Sequence, residues 1–387
     1  MNLILIDNET TWKKLLPLTY TKPVSEIRIG ILTIKEKWEK HLKTTASYSC
    51  KDYLSTKFAI AYIPGKANLF VASDVLPDAK LVAAIKKLKP NEGLKKNNTL
   101  IACNTSHTTF NLDICKEYEG SIFKIENVWD IFSKNGDALK ADFDLLTKGR
   151  KSQALSKSNT VVGKKNLVFL EKGAKAEAAT FNTNSGPIYI GKNAEVMEGS
   201  LVRGPFALCD DSTLKLAAKI YGPTTIGPHC KVGGEVNNSV IFGYTNKAHD
   251  GFLGNSVVGE WCNIGADSNN SNLKNNYGNV KLFSYATGKN EDTGLQFCGL
   301  IMGDHSKSGI NTMFNTGTVV GVAANIFGGG FPATHIPSFS WGGSEGFEKY
   351  RIDKMFETAE RVFARRHLEL SKEDMAILKY INELSND

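Results

Sequence analysis

Aliphatic residues recur at every sixth position through the centre of this 387-residue chain, and this period constrains the fold more than any other feature. A flat sheet of short strands would instead alternate with a period of two and carry turn signals roughly every 8 to 12 residues. Glycine often follows the aliphatic residue, and glycine tolerates the positive φ of a tight corner. The chain therefore has to fold as a stack of short strands and corners. The uninterrupted series is Ile190, Val196, Val202, Leu208, Leu214, Ile220, Ile226 and Val232.

This pattern resembles the hexapeptide repeat, in which three short strands make one triangular coil and the aliphatic residue points inward on each flat side. The resemblance implies a left-handed parallel β-helix, which we place at residues 151–337. Weaker steps of the same series lie on either side of the uninterrupted one: Val162, Val168 and Ala174 before it, then Phe252, Val258 and Ile264, then Met302, Ser308, Phe314, Val320 and Ile326.

The series breaks twice, once between Val232 and Phe252 and once from Ser271 to Gln296. An insertion in a solenoid maps to a loop on one face, and that face is often the binding face. We therefore expect functional residues to gather at both breaks.

Composition narrows the class of protein. The formal net charge of +7 forms no long Lys/Arg block, which suits an anionic small substrate better than a nucleic acid. No apolar stretch is long enough to predict a membrane span or a signal peptide, so we expect a cytoplasmic protein. The seven cysteines lack CxxC spacing, so we interpret them as reduced packing residues rather than zinc ligands or disulfides.

Four short motifs follow one another at a known spacing: His249, Leu253-Gly254-Asn255, Asn263-Ile264-Gly265-Ala266 and Asn272. They resemble the acetyltransferase half of the bifunctional enzymes that acetylate glucosamine-1-phosphate and then uridylylate it. The resemblance extends over roughly residues 155 to 335. It implies acetyl-CoA as the co-substrate, an amino-sugar 1-phosphate as the acceptor and, as in acyltransferases of this kind, a homotrimer.

The resemblance also implies roles for single residues. His249 is the general base, which suits imidazole because its pKa lies near neutrality. Asn272 orients the substrate or the acyl group. Lys219 and Lys281 match basic positions that hold the sugar phosphate, and a lysine binds phosphate as a point charge. Phe252 matches an aromatic residue of the substrate site.

The segment also departs from the family pattern. The second basic residue before the histidine is Asn237, and the aromatic residue Phe252 lacks a hydroxyl group. A glycine of the coil corner is replaced by Asp267. These differences leave the identity of the acceptor sugar open.

Strands and helices alternate in residues 1–150: a strand at Leu3–Ile6, a helix at Leu32–Leu42, a strand at Leu69–Ala72 and a helix at Asp78–Leu88. This order predicts an α/β domain. The run from Lys14 through Pro17-Leu18-Thr19 to Lys22-Pro23, together with Asp74 after a strand, is similar to the sugar nucleotidyltransferase signature. The similarity implies that Lys14 and Lys22 contact UTP or another nucleotide. It also implies that Asp74 holds Mg²⁺, a hard cation that prefers oxygen ligands.

The nucleotidyltransferase signature is incomplete. Residues 8–12, Asn-Glu-Thr-Thr-Trp, stand in place of the glycine-rich loop, and the carboxylate of Glu9 would repel a phosphate. The region is also about two thirds of the length such domains need. We therefore predict a truncated nucleotidyltransferase-like domain, and either residual nucleotidyl transfer or a structural or regulatory role fits it.

The last segment, residues 338–387, predicts two C-terminal helices, one over Gly346–Arg366 and one that Ser371 caps. Their apolar stripes are expected to pack on the β-helix or on a neighbouring subunit.

Two other functions compete with acyl transfer. One is a metal-dependent lyase like the γ-class carbonic anhydrases, which share the β-helix and bind a metal through three histidines. The β-helix carries His229, His249, His305 and His335, but no pair has the His-x4-His spacing of that class. The other is a non-catalytic regulator that binds a sugar nucleotide.

Overall fold

The N-terminal region folds as an α/β domain in the computed structural model, which describes residues 2–108 and 111–385. Its main sheet has the strand order β2-β1-β3-β6-β5-β7, in which β1 runs parallel to both of its neighbours and β6 runs antiparallel to β3. Strands β4 and β8 pair separately. The strands are Asn2–Ile6 (β1), Ala46–Ser49 (β2), Asn68–Ala72 (β3), Val75–Leu76 (β4), Glu92–Lys96 (β5), Thr99–Thr105 (β6), Cys115–Glu117 (β7) and Phe123–Lys124 (β8).

The helices of this domain begin where polar caps predict. Thr33 and Glu36 form a reciprocal capping box at the start of α2, and the side chain of Asp78 accepts two backbone N–H groups at the start of α3. Both predicted helices are confirmed. The helices are Glu9–Lys14 (α1), Ile34–Leu42 (α2), Ala79–Ile85 (α3), Asp130–Ser133 (α4) and Asn135–Thr147 (α5), and short 3-10 turns occupy Val24–Glu26, Asp52–Leu54 and Leu112–Ile114.

The middle of the chain is a long parallel β-helix with three faces, as predicted. All eight aliphatic residues from Ile190 to Val232 are buried in its interior. A 3-10 turn at Lys165–Leu167 lies in its first coil.

The first face consists of Thr160–Val162, Thr180–Asn182, Leu201–Arg203, Lys219–Tyr221, Glu235–Asn237 and Phe252–Gly254. Two further strands, Asn269–Asn270 and Met313–Phe314, extend the same side.

The two other faces continue to the end of the β-helix. The second face consists of Val168–Leu170, Ile188–Ile190, Phe206–Leu208, Thr224–Ile226, Val240–Ile241, Val257–Val258, Ile301–Met302, Val319–Val320 and His335–Ile336. The third face consists of Lys175–Ala176, Glu195–Val196, Thr213–Leu214, Lys231–Val232, Asn246–Lys247, Asn263–Ile264, Lys307–Ser308, Asn325–Ile326 and Ser340–Gly343.

The two predicted breaks in the repeat have different structures. The expectation of a loop between Val232 and Phe252 is wrong, because a complete coil lies there and only its corners are shorter. Leu253, not Phe252, is the inward residue after these corners. The second break is a true insertion, and it contains a hairpin formed by Lys281–Ser284 and Lys289–Asp292.

The segments outside the β-helix cover its three faces to different extents. The N-terminal domain and the hairpin cover the second face, and they share one apolar core with Val240, Val257 and Ile301. The first face keeps exposed apolar side chains, among them Leu201, which is 53% exposed. No helix in the described ranges is long and apolar enough to cross a lipid bilayer.

The C-terminal helices are Ile352–Ala364 (α6) and Lys372–Leu384 (α7), and they pack on the last coils and on Leu54 of the N-terminal domain. The predicted start of the first helix at Gly346 is wrong. Gly346–Lys349 instead forms a strand that pairs antiparallel with the end of the third face. The backbone of Gly346 lies in the left-handed region, with φ at 128°, which does not allow a helix to begin there.

Lys22 joins the N-terminal domain to the β-helix. Its Nζ lies 2.8 Å from Glu260 Oε2 and 2.8 Å from Asp304 Oδ2, and it stands 5.4 Å from the centre of the Phe242 ring. The hydroxyl of Thr21 donates a second hydrogen bond to Asp304 at 2.5 Å. Lys22 and Asp304 are both buried, so this ion pair is the polar centre of the interface.

We predict that Lys22→Met destabilises the protein, because the substitution leaves the buried carboxylate of Asp304 without its cation. Breaking one side of a buried ion pair costs about 3 to 5 kcal/mol. The unfolding temperature should fall clearly. Lys13→Met, which removes a half-exposed ion pair with Glu9, should cost about 0.5 kcal/mol at most and serves as the control. Equal unfolding temperatures for the two variants would contradict the role of Lys22.

Candidate functional site

Three residues of the acetyltransferase-like motif meet at the end of the first face. Asn272 Nδ2 donates a hydrogen bond to Asn255 Oδ1 at 2.8 Å. The Phe252 ring and the Asn272 amide both contact Gly254. If another residue replaced this glycine, its Cβ atom would lie 2.4 Å from Phe252 Cζ and 2.7 Å from Asn272 Nδ2. Only glycine fits between them. The motif therefore places Phe252 and Asn272 side by side.

His249 lies on the corner that precedes this strand, between the third face and the first. Its side chain is exposed. His249 precedes the strand Phe252–Gly254, and Asn272 contacts Asn255 just after it, so the two residues stand at opposite ends of this strand.

Lys219 points outward from the first face, on the same row as Glu235 and Phe252. Successive coils are about 4.8 Å apart, so Lys219 stands roughly 10 Å from the His249 coil. It lines an open cleft of about 470 Å³ together with Arg203. Sequence reasoning missed Arg203, although the spacing of outward positions on the preceding coil would have identified it.

Lys281 lies at the start of the hairpin. Its carbonyl lies against Gly317, where a Cβ atom would be 2.6 Å from Lys281 O. The coil of Gly317 is joined to that of Asn272 by a 2.6 Å hydrogen bond between Thr316 and Ser271. The exposed Lys281 is therefore on the same edge as Asn272, and it is separate from the cleft of Lys219.

A buried lysine supports the His249 corner from inside. Lys247 occupies an inward position that other coils fill with an aliphatic residue, and its Nζ donates to Gly233 O at 3.0 Å and to His249 O at 2.8 Å. Burial lowers the pKa of Lys247 to about 8. Sequence reasoning missed it because the inward register was taken at Phe252 instead of Leu253. Counting six residues back from Leu253 would have revealed a lysine in the core.

We predict that the stability difference between the wild type and Lys247→Met depends on pH. The pKa of Lys247 is lower in the folded protein than in the unfolded chain. Between pH 8 and 10.5 the unfolded chain therefore binds more protons than the folded protein does. The wild type gains stability as pH rises through that range. From pH 7.5 to 9.5 the gain relative to the variant should be about 2 kcal/mol. Thermal unfolding of both proteins at each pH measures it.

Lys231→Met removes an exposed lysine from the same face and should show no such trend. A constant difference between wild type and Lys247→Met over this pH range would show that the ammonium is not desolvated in the folded protein.

The predicted nucleotide-binding residues of the N-terminal domain are not brought together. Lys14 is exposed at the end of α1, whereas Lys22 is buried in the ion pair with Glu260 and Asp304. Helix α1 begins directly after Asn8, whose side chain caps it, so no glycine-rich loop cradles a phosphate there. The ammonium of Lys22 already neutralises two carboxylates, an arrangement that does not favour the predicted contact with a nucleotide.

Asp74 does not fit a magnesium site. It accepts a hydrogen bond from the Thr11 hydroxyl at 2.7 Å, and Lys124 Nζ lies 3.4 Å from the same oxygen. Burial raises the pKa of Asp74, and it raises the pKa of the adjacent Asp7 to about 7. The Asp74 oxygen is already engaged by a hydroxyl and an ammonium within the protein, which does not favour it as a ligand for a hard dication. Within the described residues, no group of three His, Cys, Asp or Glu side chains is arranged to hold a metal ion.

The histidines of the β-helix occupy separate positions. His229 stacks on Tyr244 with ring centres 4.6 Å apart, and His335 stacks on Phe283 at 3.5 Å. Burial lowers the pKa of His305 to about 3, so this imidazole is neutral near pH 7. The arrangement within one chain does not favour the three-histidine centre of a metal-dependent lyase.

Comparison with known protein families gives a match in the N-terminal domain. Residues 3–151 match the family model described as sugar nucleotidyl transferase. The match covers the α/β domain and none of the faces of the β-helix. No curated protein matches the chain.

Solved structures with a similar β-helix include several acyltransferases. The polysialic-acid-specific acetyltransferase NeuO is 14% identical, with a TM-score of 0.28, over 55% of this chain and 99% of its own. The UDP-N-acetylglucosamine acyltransferase of Francisella novicida is 13% identical, with a TM-score of 0.29, over 60% and 76%. A variant of the N-acyltransferase AntD from Bacillus cereus, solved with dTDP and coenzyme A, is 14% identical, with a TM-score of 0.23, over 53% and 91%.

Proposed function

We propose that the protein is an acyltransferase that moves an acetyl group from acetyl-CoA to the amine of an amino-sugar 1-phosphate, with glucosamine-1-phosphate as the first candidate. The observation that carries the proposal is the exposed imidazole of His249 on the coil where Phe252 and Asn272 meet. The match of the N-terminal domain to sugar nucleotidyl transferases supports a place in sugar-nucleotide biosynthesis.

The proposed chemistry uses each of these residues. The acceptor amine attacks the thioester carbon, a C–N bond forms and the C–S bond breaks. His249 takes the proton that the amine loses and returns it to the departing thiolate of coenzyme A. Asn272, held by Asn255, orients the reacting groups. Lys219 and Arg203 attract the sugar phosphate to the first face.

The proposal does not extend to nucleotidyl transfer, because Lys22 and Asp74 are both engaged within the protein. Their engagement favours a docking or regulatory role for the N-terminal domain.

A non-catalytic homologue that binds a sugar nucleotide is the second candidate. A thiol-release assay with acetyl-CoA and a panel of amino-sugar phosphates separates the two, since only the enzyme releases coenzyme A.

We predict that His249→Ala lowers kcat by about 10²- to 10⁴-fold and leaves the KM for acetyl-CoA nearly unchanged, because it removes proton transfer and no donor contact. Lys219→Ala should mainly raise the KM for the sugar phosphate, because its contact is made in both the ground and transition states. His107→Ala, at an exposed histidine of the N-terminal domain, is the control. A folded His249→Ala variant that keeps more than about a tenth of wild-type kcat would exclude the base role.

We also propose a homotrimer in which the first faces surround a threefold axis. This face carries the exposed apolar residues Val162, Leu201 and Tyr221, and the chain does not cover it. His249 and Asn272 flank the same face, so assembly would bring a neighbouring subunit close to both residues.

Light scattering should therefore give three times the mass of one chain. Leu201→Glu should dissociate the trimer, because it puts a charge in place of an exposed apolar side chain that assembly would bury. Leu384→Glu, an equivalent change at an exposed leucine of α7, should leave the mass unchanged. A wild-type monomer at micromolar concentration would contradict the proposed assembly.

A further inference from the structure

A cleft of about 480 Å³ lies between the third face of the β-helix and the C-terminal end of α6. Four cationic side chains line it, namely Lys231, Lys307, Arg365 and Arg366, and no carboxylate of the described residues does. Proteins usually intersperse charges of both signs, and a concave surface of one sign concentrates ions of the opposite sign. The cleft is thus built for an anion.

The cations are spread along the cleft. One outward row crosses four successive coils and consists of Lys231, Asn246, Asn263 and Lys307. The two lysines are at the ends of this row, roughly 14 Å apart, and the two asparagines lie between them. Arg366 approaches from α6, and its Nη2 donates to Asn246 Oδ1 at 3.4 Å. This spacing suits an extended anion with several charged groups better than a single phosphate.

The helix end that supplies the arginines is held in place. Phe363 of α6 stacks on Trp261 with ring centres 3.9 Å apart, and Trp261 stacks on Tyr244 at 4.1 Å. The Tyr244 and Trp261 rings line the cleft at the corner between the second and third faces. A pre-formed site of this kind loses little entropy when a ligand binds.

Lys307 gives a second, independent sign of a ligand. Its Nζ donates to His305 O at 2.9 Å, and burial lowers the pKa of Lys307. Lys307 is half-buried, and within the described residues it has no carboxylate partner within 4.0 Å, so partial desolvation of its ammonium costs free energy that an incoming anion would offset. Arg361, one turn earlier on α6, pairs with Glu357 and does not line the cleft.

We propose that this cleft binds a small molecule with two or more linked phosphate groups, which the arginines hold as charge-assisted forks and the lysines as point charges. A nucleoside diphosphate and the diphosphate of coenzyme A share this chemistry. Ala248 lines the cleft and precedes His249 in the chain, so the anion lies near the His249 corner. The inference does not depend on acyl transfer, because binding requires neither an acceptor sugar nor a base.

Isothermal titration of the full-length protein with ADP, coenzyme A, pyrophosphate and orthophosphate tests the proposal. The three diphosphate probes should bind at least about tenfold more tightly than orthophosphate. Lys231→Ala and the double variant Arg365→Ala/Arg366→Ala should each weaken that binding by about tenfold or more. Tighter binding of coenzyme A than of ADP would identify coenzyme A as the source of the diphosphate, and the reverse order would identify a nucleotide.

Lys175→Ala is the matched control, because Lys175 lies on the same row of the third face but outside the cleft. It should leave the dissociation constants unchanged. The proposal is overturned if no diphosphate probe binds at about 1 mM. It is equally overturned if Lys231→Ala binds like the wild type, or if Lys175→Ala weakens binding as much as Lys231→Ala does. Lys231 is on a strand rather than on α6, so its variant still tests the cleft if the double arginine variant loses its C-terminal helices.

Discussion

The column of aliphatic side chains inside the β-helix determines where everything else lies. Each inward residue is buried between its neighbours in the coils above and below, and burial of one such side chain contributes roughly 1.5 to 3 kcal/mol. Parallel pairing then fixes every outward residue about 4.8 Å from its counterpart on the next coil. The rows that carry Lys219, Phe252 and Lys231 exist because the interior column keeps the coils in register.

The N-terminal domain shows how a sequence signature and a structural role can diverge. Lys22 belongs to a motif that resembles one used to bind nucleotides, but its ammonium neutralises Glu260 and Asp304 of the β-helix. Asp74 is likewise satisfied by Thr11 and Lys124. In both cases the protein itself occupies the positions where a ligand would bind. The Lys22 ion pair fastens the domain to the β-helix.

The repeat could be predicted because its signal is local and periodic. The series from Ile190 to Val232 is buried as expected, since the period directly reflects which side chains point inward. The shortened corners after Val232 appear in the sequence only as a slip of the aliphatic period, and such a slip does not distinguish a shorter corner from an inserted loop. The Lys22–Asp304 pair and the stacking of Phe363 on Trp261 join distant parts of the chain, and no short-range pattern encodes such contacts. The motif around His249 was found by resemblance alone.

The insertion that contains the hairpin runs from the edge of the first face to the core that the N-terminal domain shares with the second face. It begins at Asn272, and its Val280 and Leu282 are buried in the core shared with the N-terminal domain. The coils before and after it stay paired, with Val257 opposite Ile301. Only residues 273–279 separate Asn272 from Val280, so the insertion ties the position of Asn272 to the core that the N-terminal domain shares with the β-helix.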